Sequence, residues 1–240
     1  MTPRVCDVFT AAAERWPDRP ILDVLPETAG VYAIEAGEIT YAALTVKVDA
    51  LRAQLASAGY GRGHRVMLLV ENRPDYFVWW LALNDLGASV VPVNPALRAA
   101  ELSYMVGHAE PVLAVATADR QSDLASAADV AGLRMPVIDV DATPPAPRKD
   151  AAIALRDGGD ENCEAALLYT SGTTGQPKGC ILTNTYFLHM GRWYRDVGGL
   201  CALTETGERM ITPLPLFLMN AMATSFMGML SVGGCLICLD

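Results

Sequence analysis

Histidine and clustered positive charge are what this chain has least of. Its 240 residues include three histidines, His64, His108 and His189. They stand apart from one another and from the cysteines, so no histidine-based metal or catalytic cluster is readable, and each is expected at the surface or at a cap. Lys and Arg number 18 against 27 Asp and Glu, and the net charge is −9. No stretch gathers the basic side chains as phosphate-backbone binding requires, which argues against a nucleic-acid partner.

Paired cysteines are missing as well. Cys6, Cys163, Cys180, Cys201, Cys235 and Cys238 are scattered, and no basic start followed by an apolar stretch marks a secretory leader. Reduced thiols in a cytoplasmic protein are therefore expected. Cys235 and Cys238 form a C-x-x-C within Gly-Gly-Cys-Leu-Ile-Cys-Leu. A spacing of three sends their side chains to opposite faces of a strand, and with no second pair or nearby histidine they are expected to be buried structural thiols, with no metal bound. Residues 211–239 carry no charge. That length could cross a bilayer, but Pro213 and Pro215 break its start, Asn220 and Ser225 interrupt it, and Gly233-Gly234 ends it. It reads as a strand end, a buried helix over 220–231 and a core strand, with no membrane span.

A hydrophobic share of 52% is enough for a substantial core. After a first helix over 8–15, segments 31–34 and 38–41 suggest a hairpin turning near Gly37. Leu44, Val48, Leu51 and Leu55 form one helical stripe, with Gly59 at the expected stop. Strands at 66–70, 89–93, 112–116 and 136–140 then alternate with helices at 75–86, 99–109 and 122–131. Such alternation predicts an α/β fold with mostly parallel sheets flanked by helices. Tyr76, Phe77, Trp79 and Trp80 lie on one of these helices, read as amphipathic, and are expected to pack in the core. Residues 141–164, with Pro144, Pro145, Pro147 and the run Asp157-Gly158-Gly159-Asp160, read as a connector. It separates a first α/β subdomain, 1–140, from a second unit, 165–240, both expected within one domain.

The most informative run is Tyr-Thr-Ser-Gly-Thr-Thr-Gly-Gln-Pro-Lys-Gly at 169–179. The glycines Gly172, Gly175 and Gly179 permit unusual backbone angles that let N–H groups converge on an anion. Thr170, Ser171, Thr173 and Thr174 add hydroxyl donors, and Lys178, after Gln176 and Pro177, adds a cation. The apolar run 165–169 before it has the length of a buried strand, so the loop is expected to leave a strand's carboxyl end. Spacing argues against a Walker loop. Counted from Gly172, that pattern needs glycine at 177 and Ser or Thr at 179, and finds Pro177 and Gly179.

The eleven residues match the signature of the adenylate-forming superfamily of acyl-CoA synthetases, luciferases and peptide-synthetase adenylation domains, and the chain is identified as resembling it. Ile39-Thr40-Tyr41-Ala42-Ala43-Leu44 resembles the family's early "LTYxEL" element. Leu86-Gly87-Ala88 with Val91-Pro92-Val93-Asn94-Pro95 resembles its second core motif, and Thr212-Pro213-Leu214-Pro215-Leu216-Phe217 its "PLFH" element, with Leu218 in place of the histidine. The Thr173-Thr174 pair and the Pro-Leu-Phe element are closer to acyl-CoA ligases than to peptide synthetases.

The resemblance implies the N-terminal part of an ATP-dependent carboxylic acid:CoA ligase, with ATP, Mg2+ and coenzyme A as nucleotide, metal and co-substrate. It implies catalytic roles for Lys178, Thr173 and Thr174, and nucleotide binding by Thr170, Ser171, Gly172, Thr173, Thr174, Gly175, Gln176, Pro177, Lys178 and Gly179. The later "YGxTE"-like element, the ribose-binding aspartate, the hinge and the lid with its catalytic lysine are not in the sequence, so the chain alone is expected to be inactive. If strands covering residues 214–239 are missing too, exposed apolar surface would favour a homodimer. A nucleotide hydrolase or phosphotransfer enzyme using the same loop, and a non-catalytic interaction module, stay open as alternatives.

Overall fold

The structure, a computed structural model, describes residues 3–148, 162–170 and 176–239. In chain order the elements are α1 (Val5–Arg15), β1 (Pro20–Val24), α2 (Pro26–Tyr32), β2 (Gly37–Thr40), α3 (Tyr41–Ala58), β3 (Arg65–Leu69) and α4 (Pro74–Asp85). Next come β4 (Ser89–Pro92), α5 (Ala99–Ala109), β5 (Leu113–Ala116), α6 (Gln121–Ala131), β6 (Val137–Asp139), β7 (Glu164–Thr170) and β8 (Lys178–Thr183). The chain closes with α7 (Asn184–Asp196), β9 (Arg209–Thr212), a π-helical stretch (Asn220–Phe226), α8 (Met227–Val232) and β10 (Cys235–Cys238).

The strands form a six-stranded sheet, β6-β5-β3-β4-β7-β8, and a four-stranded sheet, β2-β1-β10-β9. All pairings are parallel except β1 with β2 and β7 with β8. The expected α/β class with mostly parallel sheets is what the chain adopts. Both sheets draw strands from both sides of the 141–164 connector.

Burial of both sheet faces explains why β3, β4 and β5 read as unbroken apolar runs. Side chains alternate by face: Val66 and Leu68 enter one core, while Met67 and Leu69 enter another with Val91, Val93, Ala114 and Ala116. The second core is capped by Leu102, Met105 and Val106 of α5 and by Leu124, Ala127 and Ala128 of α6. The first core joins the two sheets through α4, where every residue from Tyr76 to Asn84 is buried. There Trp80 lies 5.0 Å from Phe187 of α7 between ring centroids, and Phe77 lies 4.4 Å from Phe226. The aromatic residues are core, as expected, but the helix is not amphipathic: it is enclosed on all sides.

Other differences from expectation have physical causes. Residues 31–34 form no strand; Pro26, preset for a first helical turn, starts α2, and Ala33 ends it at φ 52°. The partner of β2 is instead β1, with Gly37 opposite Val24. Helix α7 was not anticipated; Thr183 caps it, its hydroxyl accepting from the Tyr186 N–H at 3.3 Å. The helix expected over 220–231 is present, opening with a π-helical turn. Residues 221–230 are buried and β10 lies between β1 and β9. Most of the apolar surface behind the homodimer expectation is therefore covered, although Leu218 and Met219 remain 38% and 37% exposed. No helix among the described residues is long and apolar enough to cross a membrane.

Candidate active site

Strand β7 leads into the signature run, carrying Tyr169 and Thr170, and its two ends differ. At the start, Glu164 is buried, yet both its oxygens are engaged: Arg65 of β3 donates from Nε at 2.7 Å and from its terminal nitrogen at 2.8 Å. The Ser89 hydroxyl of β4 adds a third bond at 2.7 Å. Arg65 also donates to the Ala109 carbonyl at the end of α5, at 3.2 Å. This bidentate pair ties β7 to β3, β4 and α5.

Toward the carboxyl end the burial runs out. Residues 164–168 are buried, Tyr169 is half-buried and Thr170 is exposed. The expected strand before the loop is thus present, and the loop leaves its carboxyl end. Ser171, Gly172, Thr173, Thr174 and Gly175 lie outside the described residues. The chain returns at Gln176, which is exposed, and Pro177, then enters β8 antiparallel to β7. Thr170 is paired with Lys178 and Tyr169 with Gly179. Directly opposed residues of an antiparallel pair share a face, so the Thr170 and Lys178 side chains stand side by side at the mouth of the loop. Lys178 is exposed and forms no ion pair among the described residues. An unpaired cation beside a hydroxyl suits a phosphate.

Gly179 differs from the expectation attached to it. It lies within β8 and has no positive φ. Its lack of a side chain answers to close packing: a Cβ there would stand 3.1 Å from Leu167 Cδ1 and 3.3 Å from His108 Cε1. Tyr169, alongside, has its phenol pKa raised, chiefly by burial.

The Pro-Leu-Phe element is held by a residue that the sequence did not single out. Asn72, just beyond β3, accepts from the Leu216 N–H at 2.8 Å and donates to the Leu239 carbonyl at 2.5 Å. It thereby joins that element to the carboxyl end of β10. Asn184 is buried as well, with a relative exposure of 1%. Its side-chain oxygen accepts from the Val5 N–H at 3.1 Å and from Asn84 at 2.9 Å, knitting α1, α4 and α7. Nothing in the local sequence marks these partners, which lie far away along the chain.

Among the described residues, the grouping with metal-ligand spacing is Cys6, Asp7 and Asp85. It already holds a cation: Arg4 approaches Asp7 at 3.4 Å and Asp85 at 3.2 Å, and Arg52 approaches Asp85 at 3.3 Å. Burial also pushes the Cys6 thiol well above its usual range. Cys235 and Cys238 are free and buried.

The model of the AMP-binding enzyme family matches residues 9–240. The chain is 28% identical to a sulfoacetate–CoA ligase of Cupriavidus necator over 98% of its own length and 45% of the relative's. It is 32% identical to a feruloyl-CoA synthase of an Amycolatopsis species, over 83% of this chain and 38% of the relative. The chain thus spans less than half the length of these curated relatives. Among solved structures, the inhibitor-bound N-terminal domain of FACL13 from Mycobacterium tuberculosis superposes with a TM-score of 0.79 at 22% identity, covering 99% of this chain and 57% of that one. O-succinylbenzoate coenzyme A synthetase from Bacillus subtilis, solved with ATP and magnesium, gives 0.74 at 20% identity, covering 97% and 56%. The fold, the hairpin that frames the signature run and the family match agree: this chain belongs to the family of AMP-binding enzymes and corresponds to the N-terminal part of its acyl-CoA ligase relatives.

Proposed function

We propose that the chain is the nucleotide-gripping part of an AMP-forming carboxylic acid:CoA ligase. The observation that carries this reading is the β7–β8 hairpin, which sets Lys178, exposed and without an ion pair among the described residues, beside Thr170 at the mouth of the signature loop. In the reaction, a carboxylate oxygen attacks the α-phosphorus of ATP in line and pyrophosphate leaves. The acyl-adenylate is then attacked by the thiol of coenzyme A. Catalysis of such displacements is mainly positioning and charge stabilisation.

Lys178, Thr173 and Thr174 stabilise the departing pyrophosphate, while Thr170, Ser171, Gly172, Gly175, Gln176, Pro177 and Gly179 complete the cradle. Magnesium supplies charge neutralisation on the phosphates. The described residues bring no three-ligand cluster to the loop, so the ion is expected to arrive with the nucleotide. The acid is not specified by these residues. The chain by itself is expected to bind nucleotide weakly at best and to form no acyl-adenylate; the whole protein is expected to be cytoplasmic.

The test is acid-dependent ATP–pyrophosphate exchange by the whole protein. Lys178→Ala is expected to lower it by about 10² to 10³, the usual cost of losing one preorganised charge-stabilising donor. Undiminished exchange would remove the role of Lys178. Phosphate release from ATP without any acid would favour a hydrolase instead.

A further inference from the structure

We infer that Tyr104 and His108 of α5, together with Tyr169 of β7, form a latch that seats the loop-bearing end of the β7–β8 hairpin, with His108 a positioning residue for Thr170 and Lys178. The latch is independent of any ligand; its functional meaning rests on the phosphate reading above.

Three contacts carry the inference. The Nδ1 of His108 and the Tyr169 hydroxyl are 2.6 Å apart, with the rings edge-on at 80°. Tyr104, one turn earlier on α5, lies nearly parallel to the same imidazole at 5.6 Å between centroids. The imidazole also packs onto the other strand, because a Cβ on Gly179 would come within 3.3 Å of His108 Cε1 and 3.5 Å of Tyr169 Cζ. His108 therefore touches both strands, one residue before Thr170 and one after Lys178.

Among the described residues, its place is also where other anchors stop. The opposite end of β7 is fixed by Glu164 with Arg65 and Ser89, and residues 164–168 are buried. Strand β8 is the edge of its sheet and has no fully buried residue. Such a margin opens locally more readily than the interior, and a clamp there governs the geometry of what lies beyond it. Burial raises the Tyr169 pKa, so its phenol keeps its proton at neutral pH and remains available as a donor.

Hydrogen exchange of this chain, without nucleotide, tests the latch. His108→Ala is expected to speed exchange of the backbone amides at 178–180 by roughly fivefold, the change that loss of one net hydrogen bond makes in local opening. Exchange in β3 and β5 should stay unchanged, and His108→Asn, which keeps a polar atom near the place of Nδ1, should restore most of the protection. If His108→Ala loosens the whole fold, Tyr169→Phe, which removes only the hydroxyl, decides: faster exchange at 178–180 supports the latch, and wild-type exchange overturns it.

The positioning role is read in the whole protein, where His108→Ala should raise the KM for ATP in pyrophosphate exchange several-fold more than it lowers kcat. Faster amide exchange with an unchanged KM would overturn that role. A whole protein without any pyrophosphate exchange would remove the ligase reading, while the amide measurement would still decide the latch.

Discussion

The two ends of β7 place charge in opposite circumstances. Glu164 at one end has a side chain 5% exposed and is bound by Arg65 and Ser89. Lys178, across from Thr170 at the other end, is open to solvent and without an ion-pair partner among the described residues. A buried charge has to be satisfied within the protein or it destabilises the fold. An exposed, unpaired one costs little and is free to meet a ligand. The same strand thus shows what a structural charge and a binding charge look like.

Breaking the Glu164 end should have the largest effect on stability. Arg65→Met strands a buried carboxylate and is expected to cost about 3–5 kcal/mol, seen as a lower urea midpoint. Removing Asn72, whose side chain joins Leu216 to Leu239, comes next. Asn72→Ala is expected to cost about 1–3 kcal/mol by leaving buried backbone groups unpaired, and calorimetry would show it as a lower Tm.

A smaller effect comes from pH. Burial raises the Cys235 and Cys238 thiols from an ordinary 9.0 to about 12. Because the folded state holds these protons more tightly than the unfolded one, their contribution is fully present below pH 9 and is lost as pH rises toward 12. Between pH 8 and 10 the loss is about 1 kcal/mol per thiol, measurable from urea midpoints at those two pH values. Native-state thiol titration should correspondingly label the exposed Cys180 and Cys201 before the four buried cysteines.

The smallest stability effect belongs to the open end of the hairpin. Lys178→Ala is expected to shift stability by no more than about 0.5 kcal/mol, although the same change should nearly abolish pyrophosphate exchange. A large stability loss on Lys178→Ala would erase the distinction between the two ends.

Several parts of this protein were readable because they depend on neighbours in the chain. The stripe of Leu44, Val48 and Leu55, ended by Gly59 at φ 97°, is a local helical period with a local stop. The apolar runs of β3, β4 and β5 read as strands because both faces of their sheet are covered. The signature run from Tyr169 to Gly179 could be recognised because its glycines, hydroxyls and lysine are consecutive.

What required the tertiary structure is whatever depends on distant partners. Local pattern favoured a strand over 31–34, but β1 took the place beside β2 and Pro26 opened a helix instead. Arg65 and Glu164 are 99 residues apart, and Asn84 and Asn184 are 100 apart. No local spacing could pair them. The reason for Gly179 likewise lies not in backbone freedom but in the close approach of Leu167 and His108. The alternation of elements and the chemistry of the loop follow from the order of residues alone, since periodicity and residue type are local properties. Only the folded chain decided which charges are buried and paired and which stands open, because burial is a property of all the surfaces that meet at a point.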